Sequence, residues 1–236
     1  MHSFFRWLRK PDPLLVRNEE QFKRLDSRLP LCAYDYVVCD TELTGLHKRK
    51  DEIVSIGAVR ISGLQIELCH TFHTLVRPAK LDANQATFVH RITPEQLRKA
   101  PRIEEVLPQF VEYCTGALVV GHCVSLDLHF LNLAIRKNLG GTLPNPSLDT
   151  MNMARLYKEL AAKKGVRFVG NPGSLVLDDL TTEFKLPRFK PHDALEDALQ
   201  TAYLFLFLAK KLKSLGVQTL EDVRQLGRKK SEERLF

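Results

Sequence analysis

No apolar run in the 236 residues approaches the roughly 18–20 that cross a bilayer, so no integral membrane association is expected. Tryptophan occurs once. The five cysteines, at 32, 39, 69, 114 and 123, form neither a CxxC pair nor a zinc ladder. An odd, scattered set reads as reduced thiols. The opening MHSFFRWLRKPDP has an apolar stretch too short and interrupted for a secretory leader, which makes the cytoplasm the expected compartment. There is no internal repeat and no low-complexity segment, and the composition excludes disorder, collagen and coiled coil as global readings. What is present is an ordinary globular composition, 44% hydrophobic and 27% charged, on a chain long enough for one domain with extensions.

The formal charge of +7 is unevenly placed. Residues 1–30 carry 7 basic and 4 acidic groups, and residues 209–236 carry 8 and 4, while residues 31–208 balance at 20 of each. This suggests a basic N-terminal extension over 1–30, a domain over 31–210 and a basic C-terminal tail over 211–236. Basic ends can hold a polyanion without reading its sequence, or can simply be a solvated surface.

Tyr34 to Asp40 is short, apolar and β-branched, as a buried strand should be. A polar loop over 41–51 contains Gly45 and the run Lys48-Arg49-Lys50. Ile53–Ser62 and Leu68–Val76 read as two more strands joined by a turn at Gly63, completing an antiparallel meander. Thr93-Pro94 suits an N-cap and first helical position, and Ile103, Val106, Leu107, Phe110 and Val111 recur at helical spacing. Ala117–Gly121 reads as a fourth strand, with a helix from about Ser125 to Lys137 and a short strand over Ser147–Thr150. Further helices are expected near 151–161, 176–184 and 193–213, with a loop at Asn171-Pro172-Gly173. The order implies an α/β domain, a mixed β-sheet flanked by α-helices.

Four carboxylates stand out by position. Asp40 and Glu42 sit two apart in extended chain, so their side chains share a face and can converge on one cation. A DxE pair also arises about once by chance in a chain with 13 Asp and 15 Glu. Asp127 follows Ser125, a candidate N-cap, where an acid complements the helix dipole, and it lies just past the fourth strand. His192 precedes a helix that begins right after it and carries Asp197 in its first turns. Lys185, Arg188 and Lys190 add positive charge just before, which suits a phosphate. Acids meeting at one sheet end repel unless divalent cations lie between them, and hard oxygen donors favour Mg²⁺ or Mn²⁺ over zinc. The other histidines (2, 47, 70, 73, 90, 122, 129) lack metal-ligand spacing and read as structural or surface residues.

Three segments resemble the ordered motifs of the DnaQ-like, DEDDh-type 3′–5′ exonucleases. Asp40-Thr41-Glu42-Leu43-Thr44-Gly45-Leu46 is similar to DxETTGL, and Gly121 to Leu131 (GHCVSLDLHFL) resembles the segment written HNxxFDxxFL. His192-Asp193-Ala194-Leu195-Glu196-Asp197-Ala198 resembles H-x-A-x-x-D-A, and Val89–Thr93 and Leu148–Thr150 resemble intermediate segments. The resemblance covers about residues 34–210 and implies a ribonuclease H-like fold. It also implies stepwise hydrolysis from a 3′ end, releasing nucleoside 5′-monophosphates, but does not choose DNA over RNA. Single-stranded ends are expected because unpaired bases are easier to bring into a pocket, and DNA is the favoured polymer.

Carried over residue by residue, the resemblance makes Asp40, Glu42, Asp127 and Asp197 ligands of two Mg²⁺ or Mn²⁺ ions and His192 the general base. Thr44, Gly45, Leu46 and Cys123 would meet the substrate. Leu43, Cys123 and Leu126 depart from the usual Thr, Asn and Phe, and Cys123 cannot supply an amide's hydrogen bonds. An oligoribonuclease-like enzyme on short RNA shares the same five residues. A non-catalytic polymerase-associated subunit is the alternative from another class.

The ends suggest partners as well. Phe4, Phe5, Trp7 and Leu8 among Arg6, Arg9 and Lys10 can dock on a partner or an anionic surface, or fold back as a short helix. A DNA polymerase or sliding clamp is a further expectation. The last residues, Glu232-Glu233-Arg234-Leu235-Phe236, resemble QxxLF-type clamp-binding peptides, with Glu where Gln is expected.

Overall fold

The computed structural model describes residues 10–79, 91–168 and 173–232, with side chains as far as 226. The expectations for residues 4–9, Val89 and His90, Asn171 and Pro172, and the 233–236 peptide fall outside these residues.

Three strands, β1 (Tyr36–Leu43), β2 (Ile53–Ser62) and β3 (Gln65–Leu75), form the expected antiparallel meander. Ser62 pairs with Gln65 across a two-residue turn in which Gly63 and Leu64 both have positive φ, as a type I′ hairpin requires. On its other side β1 pairs in parallel with β4 (Leu118–Gly121), and β4 with β5 (Ser147–Asp149). The five-stranded order is β3-β2-β1-β4-β5, a mixed sheet as the sequence implied.

Two boundaries differ from expectation by three residues. β1 runs to Leu43, because β2 pairs with it beyond the apolar run, Glu42 opposite Ser55 and Leu43 opposite Ile53. Both Asp40 and Glu42 therefore lie inside a strand. β3 starts three residues earlier than expected, since the tight hairpin brings Gln65 and Ile66 into register with Ser62 and Ile61.

The helices are α1 (Pro13–Phe22), α2 (Pro94–Lys99), α3 (Ile103–Tyr113), α4 (Ser125–Leu139), α5 (Thr150–Lys163), α6 (Leu177–Glu183), α7 (Ala194–Ser214) and α8 (Leu220–Glu232). Thr93 caps α2 through a capping box with Gln96, and Asp193 caps α7. Ser125 is not a cap. It is the first residue of α4, preceded by Val124 without a side-chain cap bond. Val124 already has helical dihedrals and the Leu126 amide donates to the Cys123 carbonyl (2.9 Å), so the serine falls inside the first turn.

Period-two alternation divides β1 between two buried layers. Tyr36 and Val38 face one core with Leu204, Phe205 and Leu208 of α7, together with residues of α5 and α8. Val37 and Cys39 face the other, with Phe110 of α3 and Phe130 and Ile135 of α4. α1 packs into this second layer through Leu15, and Val217, Leu220 and Val223 close the first. No helix among the described residues is long and apolar enough to cross a membrane.

Candidate active site

The alternation that sorts the core also aims the acids. Asp40 and Glu42 continue the Tyr36–Val38 face toward α7, and Thr41 continues the opposite face toward α4. On that opposite face the buried Asp127, in the first turn of α4, accepts hydrogen bonds from the Thr41 amide (3.0 Å) and hydroxyl (2.6 Å). β1 thus locks the second-motif acid beside the first-motif pair.

α7 supplies the third motif. Its Asp193 cap accepts from the amides of Leu195 (3.1 Å) and Glu196 (3.3 Å), so that carboxylate is spent on holding the helix start. His192 sits before the cap at φ +65°, exposed, and its amide donates to Asp197 (2.9 Å). Donor atoms of Glu42, His192 and Asp197 lie within 4.8 Å of one another. Asp40 and Asp127 do not join that group of three, but both lie close enough to the other acids to repel them.

Gly57 makes this approach possible. It pairs with Asp40 on the ladder, and a Cβ added there would fall 2.1 Å from the carbonyl carbon of Ala194. The first turn of α7 therefore rests directly on β2, with Asp197 over the acids of β1. Reading the sequence missed Gly57. A glycine inside an otherwise β-branched strand was the available signal of a close backbone approach.

Burial and mutual repulsion raise all four carboxyls. Asp40 is pushed well above the ordinary range by desolvation, then by Asp127, Asp197 and Glu42. Desolvation, with Asp197 and Asp193 adding, brings Glu42 to about 7. Asp127 rises to about 7 by desolvation, opposed by its bonds from Thr41. Asp197 rises to about 6 by desolvation, opposed by His192. Among the described residues no basic side chain forms an ion pair with any of the four. Gathered oxygen donors without a counter-charge fit hard divalent cations.

The loop after β1 is braced from within. Thr44 donates from Oγ1 to Asp51 (2.8 Å) and accepts from the Glu52 amide (3.0 Å). A Cβ at Gly45 would collide with the Asp51 carboxylate at 2.6 Å. Leu46 is 71% exposed at the tip of this braced turn. Cys123, at φ +59°, is exposed, donates its amide to Asp149 (3.2 Å) and places Sγ 3.5 Å from the Met151 sulfur.

His122, expected to be structural, is bonded on both ring nitrogens, to Thr150 Oγ1 (2.9 Å) and to the Leu175 carbonyl (2.8 Å). Nε2–H must donate to that carbonyl, so Nδ1 of the neutral ring accepts from the threonine hydroxyl. Burial pushes its pKa down, which keeps the ring neutral.

The exonuclease family model (RNase_T) matches residues 37–205. The chain is 33% identical over 190 residues to the DNA polymerase III subunit epsilon of Aquifex aeolicus, covering 80% of this chain and 88% of that one. It is 34% identical over 191 residues to the DNA polymerase III PolC-type of Thermotoga maritima, covering 81% of this chain and spanning only 13% of that protein's length.

Among solved structures, exonuclease X in complex with 5′ overhanging duplex DNA matches at TM-score 0.57 and 26% identity, covering 81% of this chain and 99% of that one. E. coli exonuclease I in complex with a dT13 oligonucleotide shares the fold at TM-score 0.65 and 17% identity, over 77% and 42% of the two chains. With the family model reaching from β1 into α7 and the epsilon relative matched over most of its length, this chain belongs to the DnaQ-like exonuclease family and has a ribonuclease H-like fold.

Proposed function

We propose that the chain is a metal-dependent 3′–5′ exonuclease that trims single-stranded nucleic acid, DNA in preference to RNA, to nucleoside 5′-monophosphates. The observation that carries this reading is the convergence of Glu42, Asp197 and His192 beside the repelling pair Asp40 and Asp127. Asp40, Glu42, Asp127 and Asp197 would hold two Mg²⁺ or Mn²⁺ ions, whose chemistry is to acidify a water and offset charge on the leaving oxygen.

His192 takes a proton on an imidazole nitrogen. Its place on an exposed loop lets it hand that proton on to solvent, and the Asp197 bond to its amide holds the backbone that carries the ring. The backbone at Thr44 and Gly45 and the exposed side chain of Leu46 bracket the terminal nucleotide, with Asp51 holding the turn in shape. Cys123 lines the strand path near the second motif and offers bulk rather than an amide.

Residues 31–210 form the catalytic unit in this reading. A DNA polymerase is the proposed partner, supported by the likeness to the epsilon subunit, and the cytoplasm the proposed compartment. His192→Ala tests the assignment. The expected result is a kcat lower by about 10²- to 10⁴-fold, with the Mn²⁺ midpoint in a thermal-shift titration unchanged. Loss of metal binding in that variant would make His192 a ligand rather than a base.

A further inference from the structure

A cleft outside the acidic centre is built for a second part of the substrate. It lies between the β1–β2 loop, the end of β3, the start of α3 and the later turns of α4, as two adjoining cavities of about 370 and 400 Å³. The two share Glu52, Arg77, Pro78, Ile103 and Lys137, so they form one trough. Its apolar lining includes the buried Ile53 and Phe130, the half-buried Ile103 and the exposed Leu133. Its basic lining comprises Lys48, Arg49, Lys50, Arg77, Arg102 and Lys137.

Basic residues outnumber acidic ones in this trough, six to three. Among the described residues none of the six basic side chains is in an ion pair. Of the three acids that share the trough, two are held by hydrogen bonds from the chain. Asp51 accepts from Thr44 Oγ1 and the His47 amide (2.7 Å), and Glu52 accepts from the Ala79 amide (2.7 Å). Cationic edges over an apolar floor match a polynucleotide, whose phosphates seek the lysines and arginines while its bases lie on carbon.

Position ties the trough to the acidic centre. Lys48 follows Leu46 by two residues, at most about 7 Å of chain. At the other end, Lys137 lies ten residues after Asp127 on the same helix, about 15 Å along α4. A strand leaving the 3′-terminal site past Leu46 enters the trough and can follow it for several nucleotides.

We infer that this basic cleft holds the 5′-ward stretch of a single-stranded polynucleotide, which makes a polymer, rather than a di- or trinucleotide, the preferred substrate. The inference rests on the exonuclease reading above and names its substrate class. Two variants test it independently, Lys48→Glu/Arg49→Glu/Lys50→Glu on the loop and Lys137→Glu on the far wall. All four residues are exposed, and unchanged melting temperatures verify the fold.

Binding of a fluorescein-labelled single-stranded DNA of about 20 nucleotides is read by anisotropy in EDTA across a salt series. Hydrolysis of that strand and of a trinucleotide is read separately in Mn²⁺. The cleft predicts weaker polymer binding in both variants and a log–log salt slope smaller by about 0.7 per lost contact. Polymer KM should rise at least about fivefold for Lys137→Glu while trinucleotide kcat/KM stays within about twofold. Polymer affinity and slope unchanged in both variants would overturn the cleft, and continued trinucleotide hydrolysis would leave the exonuclease reading standing. If the unaltered protein hydrolyses neither substrate, the exonuclease reading fails, while the EDTA binding arm still decides the cleft.

Discussion

In metal-free protein, desolvation and mutual repulsion hold Glu42 and Asp127 near 7, Asp197 near 6 and Asp40 higher than its ordinary value. The unfolded chain titrates these groups near 4. Between those values the folded state binds more protons, so their contribution to stability is present below about pH 4 and lost as pH rises through 6 to 7. Melting of EDTA-treated protein should therefore fall between pH 5 and pH 8. Mg²⁺ or Mn²⁺ at about 100 times Kd should restore about 2.7 kcal/mol at pH 8, roughly 5–10 °C, and much less at pH 5. A pH-independent melting temperature in EDTA would contradict this electrostatic picture. Asp40→Asn removes one of the crowded charges with little change of shape. Under the proposed roles it should melt higher than the parent in EDTA at pH 8, respond weakly to metal and lose about a thousandfold or more in kcat. Melting below the parent would show that Asp40 is stabilising instead.

Two elements, β2 and α7, bring the third motif to the first, and their contact is set by one missing side chain. Gly57→Ala puts a methyl group into the backbone of Ala194, so α7 must lift at its first turn. The expected cost is about 1–3 kcal/mol in denaturant unfolding, together with a fall in kcat, since Asp197 and His192 move away from Glu42. Full activity in Gly57→Ala would mean that the helix start tolerates displacement. This contact also marks where the sequence stopped being legible. The three motifs, the meander and the helix start just after His192 could be read because each is a local pattern. The crossing of α7 over Gly57 joins positions more than 130 residues apart, and only the interior glycine hinted at it. Two helices were also missed. α1 carried an unread local sign, the Asp12 cap followed by Pro13 at the first helical position. α8 has few apolar residues, and its burial comes from Leu220 and Val223 meeting the sheet layer. The end of β1 was misplaced because Asp40, Thr41 and Glu42 are polar residues whose pairing with Gly57, Ile56 and Ser55 serves the site rather than the core.

Across the whole molecule, charge and shape divide the work. The middle of the chain is balanced in sequence, yet the fold separates its charges into an acidic centre and a basic trough on the adjoining loop and helix. Part of the N-terminal basicity is already answered within the chain, since Arg17 pairs with Glu112, Lys23 with Glu20 and Arg28 with Asp26. The trough rather than α1 is therefore the stronger electrostatic feature for a polyanion. The account as a whole meets its most direct test in digestion of 5′-labelled single-stranded DNA and RNA with Mg²⁺ or Mn²⁺, with Asp40→Asn and EDTA as controls. A ladder shortening stepwise from the 3′ end, faster on DNA and absent in both controls, is the predicted result. Cleavage that persists in Asp40→Asn, or no cleavage of either polymer by the unaltered protein, would contradict it.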